Sequence, residues 1–341
     1  MTGSHNPPTH NGFKMVMDGQ SFFGDEITEL GARCAAGVPS KKGGKCEMRS
    51  VFDEYINRLL KSTDAGNLSV VWDCGNGASG PVTEAVVGRL TGKHQVLFSK
   101  VDGAFPNHHP NPVDPETLAI LRSAVKSETA DLGIGFDGDG DRIGVVDARG
   151  RQVPGDLLTA YLAQDVAKRH PGETFLLDIK SSQLALDMLT AAGGDAAIWK
   201  TGHSHMKMKM AETGSPLAGE MSGHIFIADD YFGFDDAIYV ALRILTQMVR
   251  TGQSITAFMD GLPKQHATPE LRIDCADDRK FAVIEKMKAV IAQSHPPEAF
   301  NIIDGVRVTS NTGWWLIRAS NTEAMLVARA EAISPEALTQ L

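Results

Sequence analysis

The stretch DLGIGFDGDGDRIGVVD, residues 131–147, joins two short runs rich in β-formers through a loop in which acidic residues and glycines alternate. Runs this short and apolar predict strands at Asp131–Phe136 and Ile143–Asp147 with a tight acidic loop between them. Upstream, Leu68–Trp72 predicts a buried strand, Gly75-Asn76-Gly77 a turn, Pro81–Leu90 a helix, His94–Ser99 a strand and Pro115–Val125 a helix. Strands alternating with helices make an α/β unit.

Downstream the alternation repeats. A helix is predicted from Val153 to Lys168, a strand at Thr174–Ile179, a helix at Gln183–Thr190 and a strand at Ala197–Lys200. A helix at Ser204–Glu212, short strands around Leu217 and Ile225, and a long helix at Asp235–Val249 complete a second unit. The two units are alike in size and element type. PKQHATP, residues 263–269, reads as a linker. Beyond it, a strand at Leu271–Asp274, a helix at Lys280–Ala292 and strands at Val306–Thr309, Trp314–Ile317 and Met325–Arg329 predict a smaller α+β module.

The 341 residues carry 33 Lys+Arg against 42 Asp+Glu, a net charge of −9, with 42% hydrophobic and 22% charged residues. That balance belongs to globular proteins and excludes fibrous and disordered classes. The acidic excess argues against nucleic acid as a partner, so an anionic ligand must be met by a local cluster of donors. No run approaches the roughly 18 apolar residues of a membrane span. The opening MTGSHNPPTHNGFK has no apolar core of a secretory signal, which points to the cytoplasm. Cys34, Cys46, Cys74 and Cys275 are widely spaced and read as reduced thiols.

In the acidic loop, Asp137, Asp139 and Asp141 can converge on one hard cation, the glycines letting the backbone turn. An EF-hand fails, because Arg142 stands where that loop needs glycine and Ala148 where it needs glutamate. Oxygen donors without Cys or His favour Mg²⁺; the competing reading is an acidic hairpin turn. In the loop Thr2-Gly3-Ser4-His5-Asn6-Pro7, a serine nucleophile with His5 or Lys14 as proton partner competes with a plain polar loop. Gly219-Glu220-Met221-Ser222-Gly223-His224 sets a carboxylate, a hydroxyl and an imidazole in a loop suited to sugar hydroxyls, or makes a buried polar turn. Arg318-Ala319-Ser320-Asn321-Thr322, between two strands, reads as a phosphate cradle or a capped turn, with Arg329 further along adding positive charge. His203, His205, Met206, Met208 and Met210 cannot face one ion, since helix positions two apart point about 200° apart. Lys207 and Lys209 read as that helix's solvated side. His108-His109, between prolines, reads as a rigid loop.

In this order the runs resemble the α-D-phosphohexomutase family, in particular its phosphomannomutase/phosphoglucomutase branch. The resemblance also draws on FPNHHPNP (105–112), KTGHS (200–204) and FGFDDAIY (232–239), and extends over nearly the whole chain. It implies an isomerase-class phosphotransferase, a phosphoprotein of carbohydrate metabolism. Ser4 would carry the phosphoryl group and complete a Mg²⁺ site with Asp137, Asp139 and Asp141. Arg142 would neutralise the transferring group, with Lys14 and His5 as acid/base and phosphate-contacting residues. Lys180 and His203 would surround the sugar, while Glu220 and Ser222 hold its hydroxyls with His224 nearby. Arg318, Ser320, Asn321, Thr322 and Arg329 would grip the non-reacting phosphate. A hexose 1,6-bisphosphate would be intermediate and activator, and the partner a small phosphosugar.

Met221 in GEMSGH resembles the mannose/glucose branch, whereas the glucosamine branch tends to carry Gln there. Phosphoglucosamine mutase, a metal-dependent phosphatase and a non-catalytic phosphosugar-binding protein are the alternatives. The expected fold is multi-domain α/β: two complete mixed-sheet domains (48–152 and 153–262), a smaller C-terminal α+β domain (263–341) and a partial N-terminal α/β domain (1–47). The family places further strands before the serine loop, so residues 1–47 are expected to show open edges, low stability and a risk of impaired activity. The end at Leu341 is expected to be slightly clipped. A monomer or weak dimer is expected.

Overall fold

The computed structural model describes residues 9–320 and 323–341, apart from the side chain of Gln20. Ser4, His5, Asn321 and Thr322 lie outside the described residues. The chain first forms a hairpin of β1 (Met15–Met17) and β2 (Gln20–Phe22), then α1 (Asp25–Ala35). No residue of α1 is buried, and Phe13, Val16, Met17, Ile27 and Leu30 are exposed. The helix α2 (Phe52–Leu60) is different: Ile56 and Leu59, one turn apart on one face, are fully buried. Each contributes about 2 kcal/mol of apolar burial.

The next unit contains β3 (Ser69–Asp73), α3 (Gly80–Val87), β4 (Lys93–Leu97), α4 (Ala119–Ser127), β5 (Leu132–Phe136), β6 (Ile143–Asp147) and β7 (Gln152–Val153). Its sheet runs β4-β3-β5-β6-β7; β4, β3 and β5 are parallel, and β6 and β7 return antiparallel. The third unit contains α5 (Gly155–Arg169), β8 (Thr174–Asp178), α6 (Gln183–Ala191), β9 (Asp195–Trp199), α7 (His203–Thr213), β10 (Leu217–Gly219), β11 (Ile225–Ile227), α8 (Ala237–Thr251) and α9 (Ile255–Asp260). Its sheet runs β9-β8-β10-β11, again parallel until a last antiparallel strand. The two middle units therefore share one topology, and the hairpins β5–β6 and β10–β11 occupy equivalent places in it.

One continuous hydrophobic core serves both middle units, running from Ile56 and Trp72 through Tyr161 to Phe258. The helix α5 lies at its centre, buried along almost its whole length.

The last unit comprises β12 (His266–Ala267), β13 (Leu271–Asp274), α10 (Asp277–Ser294), β14 (Phe300–Asn301), β15 (Val306–Ser310), β16 (Gly313–Ala319), β17 (Met325–Ala332) and α11 (Pro335–Gln340). Its antiparallel sheet is ordered β12-β17-β16-β15-β14, with β13 also on β17. The stretch 263–269 is thus more than a linker, since His266 and Ala267 pair with Ala332 and Glu331. Polar, proline-flanked dipeptides carry no periodic signal, and only the β17 edge makes this one a strand. The helix α9 and the strand β14, both absent from the sequence reading, were hidden by their shortness.

Candidate active site

The acidic loop is held by its first carboxylate. The strand β5 is buried throughout and delivers Asp137 with no solvent exposure. Asp137 Oδ1 accepts the backbone N–H groups of Gly140 (2.9 Å), Asp141 (3.0 Å) and Arg142 (3.1 Å), and Oδ2 accepts Arg142 Nε at 3.1 Å. Burial pushes the Asp137 carboxyl up to about 6, aided by the charge of Asp141 and opposed by Arg142. Asp137, Asp139 and Asp141 each offer an oxygen, all within 4.8 Å of one another. A positive group already stands there: Lys14 Nζ lies 2.9 Å from Asp139 Oδ2 and also pairs with Asp141. Burial disfavours the ammonium, but Asp141 and Asp139 outweigh it and raise its pKa. Three convergent carboxylates, hard oxygen donors, fit a hard divalent cation.

The equivalent hairpin of the third unit carries the second loop. Glu220, buried, accepts Gly202 N–H on Oε1 at 2.8 Å and the Ser222 hydroxyl on Oε2 at 3.0 Å. Burial raises its pKa. His224 Nδ1 lies 3.1 Å from Asp235 Oδ2 and 3.7 Å from Asp141 Oδ1. Burial works against the imidazolium, yet Asp235, Asp141 and Glu220 prevail and push it up to about 9. His203 stacks obliquely with His224, ring centroids 5.9 Å apart, and burial pulls it down to about 4. The two hairpins are joined where Ile143 N–H donates to the Gly223 carbonyl at 3.0 Å, and the start of α8 holds the acidic loop where Ala237 N–H donates to the Gly140 carbonyl at 3.1 Å. Gly223 has φ +90°, and a Cβ there would come within 2.5 Å of the Ile143 carbonyl, so only glycine allows this approach.

The last unit adds arginines. Arg318 ends β16, buried, with Nε 3.1 Å from Asp304 Oδ2 and Nη2 without a hydrogen-bond partner among the described residues. Ser320 Oγ accepts Glu323 N–H at 3.1 Å. Arg329 lies in the seam with the third unit, donating to the Lys180 carbonyl and standing 3.5 Å from Glu331. Lys180 Nζ is 3.6 Å from Glu270 and 4.0 Å from Asp178.

Residues 53–150, 154–266 and 270–341 match, in turn, alpha/beta/alpha domain II, alpha/beta/alpha domain III and the C-terminal domain of phosphoglucomutase/phosphomannomutase. The chain belongs to this family. It is 43% identical to the phosphomannomutase/phosphoglucomutase of Pseudomonas putida over the whole chain and 73% of that relative. The phosphoglucomutase of Neisseria gonorrhoeae is 37% identical over the whole chain and 75% of its own length. A crystal structure of a phosphoglucomutase/phosphomannomutase family protein from Burkholderia thailandensis superposes with a TM-score of 0.92 at 39% identity, over 99% of this chain and 72% of that one.

Within this phosphoglucomutase/phosphomannomutase fold, three carboxylates escaped the sequence reading of the site. Asp235 sits in the FGFDDAIY run, and burial notwithstanding, His224 and Lys207 hold it far below the carboxylate range. Lys207 pairs with it at 3.0 Å, and Lys209 Nζ stands 4.4 Å from the Trp199 ring centre. Neither lysine is therefore a free solvated charge: Lys207 reaches Asp235 ahead of α8, and Lys209 pairs with Glu212 one turn along the helix at 2.7 Å and stands over Trp199 of β9. Asp178, at the end of β8, accepts Thr201 Oγ1 (3.1 Å), Met221 N–H (3.1 Å) and Ser181 Oγ (2.7 Å). Asp304 is the third. The signal for Asp178 was its place at a strand's carboxyl end, where α/β folds gather their sites. His108 Nε2 donates to Asp73 Oδ2 at 3.0 Å, which makes it a loop brace.

Proposed function

We propose that this chain interconverts hexose 1-phosphates and hexose 6-phosphates by way of a phosphorylated Ser4 and a hexose 1,6-bisphosphate. The observation that carries the reading is the joining of the acidic loop to the GEMSGH hairpin, which Thr201 and Asp304 connect to the buried Arg318. Asp137, Asp139 and Asp141 would hold Mg²⁺. When bound, Mg²⁺ would supply charge neutralisation to the phosphoryl oxygens.

Ser4 Oγ loses its phosphoryl group as a sugar hydroxyl oxygen forms the new O–P bond, and the hydroxyl proton passes to a base of the cleft. The reverse transfer from the other end of the bisphosphate restores Ser4. Lys14 and His5, beside the serine loop, would exchange the proton and contact the group in flight. Arg142, fixed by Asp137, would neutralise charge developing there. Lys180, His203, Glu220, Ser222 and His224 would orient the sugar. Arg318, Ser320, Asn321, Thr322 and Arg329 would hold the phosphate not reacting in either orientation, converting remote binding energy into alignment.

Glucose and mannose phosphates are the preferred substrates, on the strength of Met221 in the GEMSGH loop. Comparing turnover of glucose, mannose and glucosamine 1-phosphates tests this, and faster turnover of the glucosamine compound overturns it. No helix among the described residues is long and apolar enough to cross a membrane. We place the reaction in the cytoplasm, on a monomer or weak dimer, which sedimentation would measure. The central step is tested by intact mass after incubation with glucose 1,6-bisphosphate. A gain of one phosphoryl group that Ser4→Ala abolishes supports it. Sugar binding without phosphoryl gain would instead support a non-catalytic phosphosugar-binding protein.

A further inference from the structure

Asp304 lies in the turn between β14 and β15, on the last unit, yet its partners come from two units. Its Oδ2 accepts Thr201 N–H at 3.0 Å, from the KTGHS loop of the third unit, and Arg318 Nε at 3.1 Å, from its own. Thr201 is anchored in turn, its hydroxyl donating to Asp178 at 3.1 Å, while the next residue, Gly202, donates to Glu220 at 2.8 Å. One carboxylate oxygen thus ties the arginine of the last unit to the loop that packs against Glu220.

The turn is built for this closeness. Gly305 has φ +93°, and a Cβ there would fall 2.4 Å from the Ile317 carbonyl and 2.5 Å from Arg318 Cβ. Gly305, next to Asp304, thus lies close against the backbone of the arginine that Asp304 holds. With Nε engaged, Arg318 keeps Nη2 buried and without a partner among the described residues. An unsatisfied guanidinium N–H in a buried place is costly unless a ligand satisfies it.

We propose that Asp304 is a positioning residue that aims Arg318 at the non-reacting phosphate and couples that aim to the sugar loop through Thr201. The proposal rests on the reading of Arg318 as a phosphate ligand. Arginine has many rotamers, and fixing one before the ligand arrives removes part of the ordering cost of binding. The sharing of one oxygen also makes the arginine sensitive to the loop, since a shift of Thr201 moves the acceptor on which Nε depends.

The test uses the full chain with Asp304→Ala, Asp304→Asn and Arg318→Ala, read in two ways. In ¹⁵N-labelled protein, the Arg318 Nε–H resonance, assigned by its loss in Arg318→Lys, is expected to exchange slowly with water. Asp304→Ala should bring it into fast exchange, and Asp304→Asn, whose amide oxygen still accepts both bonds, should keep it slow. For glucose 6-phosphate, Asp304→Ala should raise Kd about tenfold, with Asp304→Asn within about threefold of wild type. In the Arg318→Ala background, Asp304→Ala should add clearly less than it does with Arg318 present. An unchanged Kd in Asp304→Ala, or the same penalty with Arg318 absent, overturns the proposal. A wild-type chain that binds no glucose 6-phosphate would sink the mutase reading, and the Arg318 resonance would still decide whether Asp304 holds the arginine.

Discussion

Asp137 and Asp229 are both buried aspartates with arginine at bonding distance and further carboxylates close by, yet their protonation is driven in opposite directions. Burial pushes each carboxyl up. Around Asp229 it is outweighed by Arg169, by Arg243 at 2.8 Å and by His170 at 3.0 Å, which hold the group far below the usual range. Around Asp137 the nearest neighbours besides Arg142 are Asp141 and Asp139, and the carboxyl rises to about 6. The Asp229 cluster ties α5 and α8 together and is complete within the chain. In the Asp137 loop three carboxylates gather, with Lys14 paired to two of them. Similar ingredients make a clasp in one place and a cluster that could hold a cation in the other, according to whether arginines or further carboxylates surround the buried group.

The largest expected effect separates these roles by activity. Asp137→Asn should lower kcat/KM about 10²- to 10³-fold in a coupled mutase assay. Asp229→Asn should leave kcat/KM within a few-fold; a loss at Asp229 matching that at Asp137 would break the comparison.

Stability should show the reverse. Asp229→Asn is expected to cost about 3 kcal/mol in urea unfolding at pH 7, because two arginines lose their buried partner. Asp229 has a depressed folded pKa, so its contribution is complete above the unfolded value near 4 and is lost as pH falls below it. Variant and wild type should therefore differ fully at pH 5 and converge at lower pH. A pH-independent difference would argue against the clasp.

Third, added Mg²⁺ should stabilise the chain by about 2.7 kcal/mol at a hundred times its Kd. Because Asp137 is raised to about 6, its ionised form costs stability above that pH. At one fixed Mg²⁺ concentration the increment should thus be larger at pH 8 than at pH 5 in a thermal melt, and an increment falling with rising pH would reverse the assignment. The smallest effect concerns Lys14. Lys14→Met should tighten Mg²⁺ about fivefold by titration calorimetry, the scale of a partly exposed ion pair. Weaker binding would mean that the lysine helps to shape the loop instead of competing for it.

Much of this was legible along the chain. Residues 131–147 announced β5, the acidic loop and β6 because short apolar runs and alternating Asp-Gly are local signals. The GEMSGH loop was equally legible, but not that its hairpin occupies the same topological place as the acidic one. Asp178 and Asp304 stayed hidden since each is a single carboxylate whose partners lie far along the chain; Asp304 and Thr201 are separated by 103 residues. Lys207 reaches Asp235, 28 residues on, so its partner too is invisible to local periodicity. A helix wheel shows which side a residue faces, but not what waits there. Arg329 was legible as a positive charge near the phosphate loop, whereas its bond to the Lys180 carbonyl appears only when β17 meets the third unit.

The sequence by itself determined the α/β alternation, the order of the functional runs and the chemistry each can offer, because these follow from local periodicity and residue type. Tertiary structure alone decided which charges are balanced. Burial and distance set that balance, and both depend on chain segments that meet only on folding. The raised carboxyl of Asp137, the raised imidazole of His224 and the single oxygen of Asp304 shared between two units are properties of those meetings.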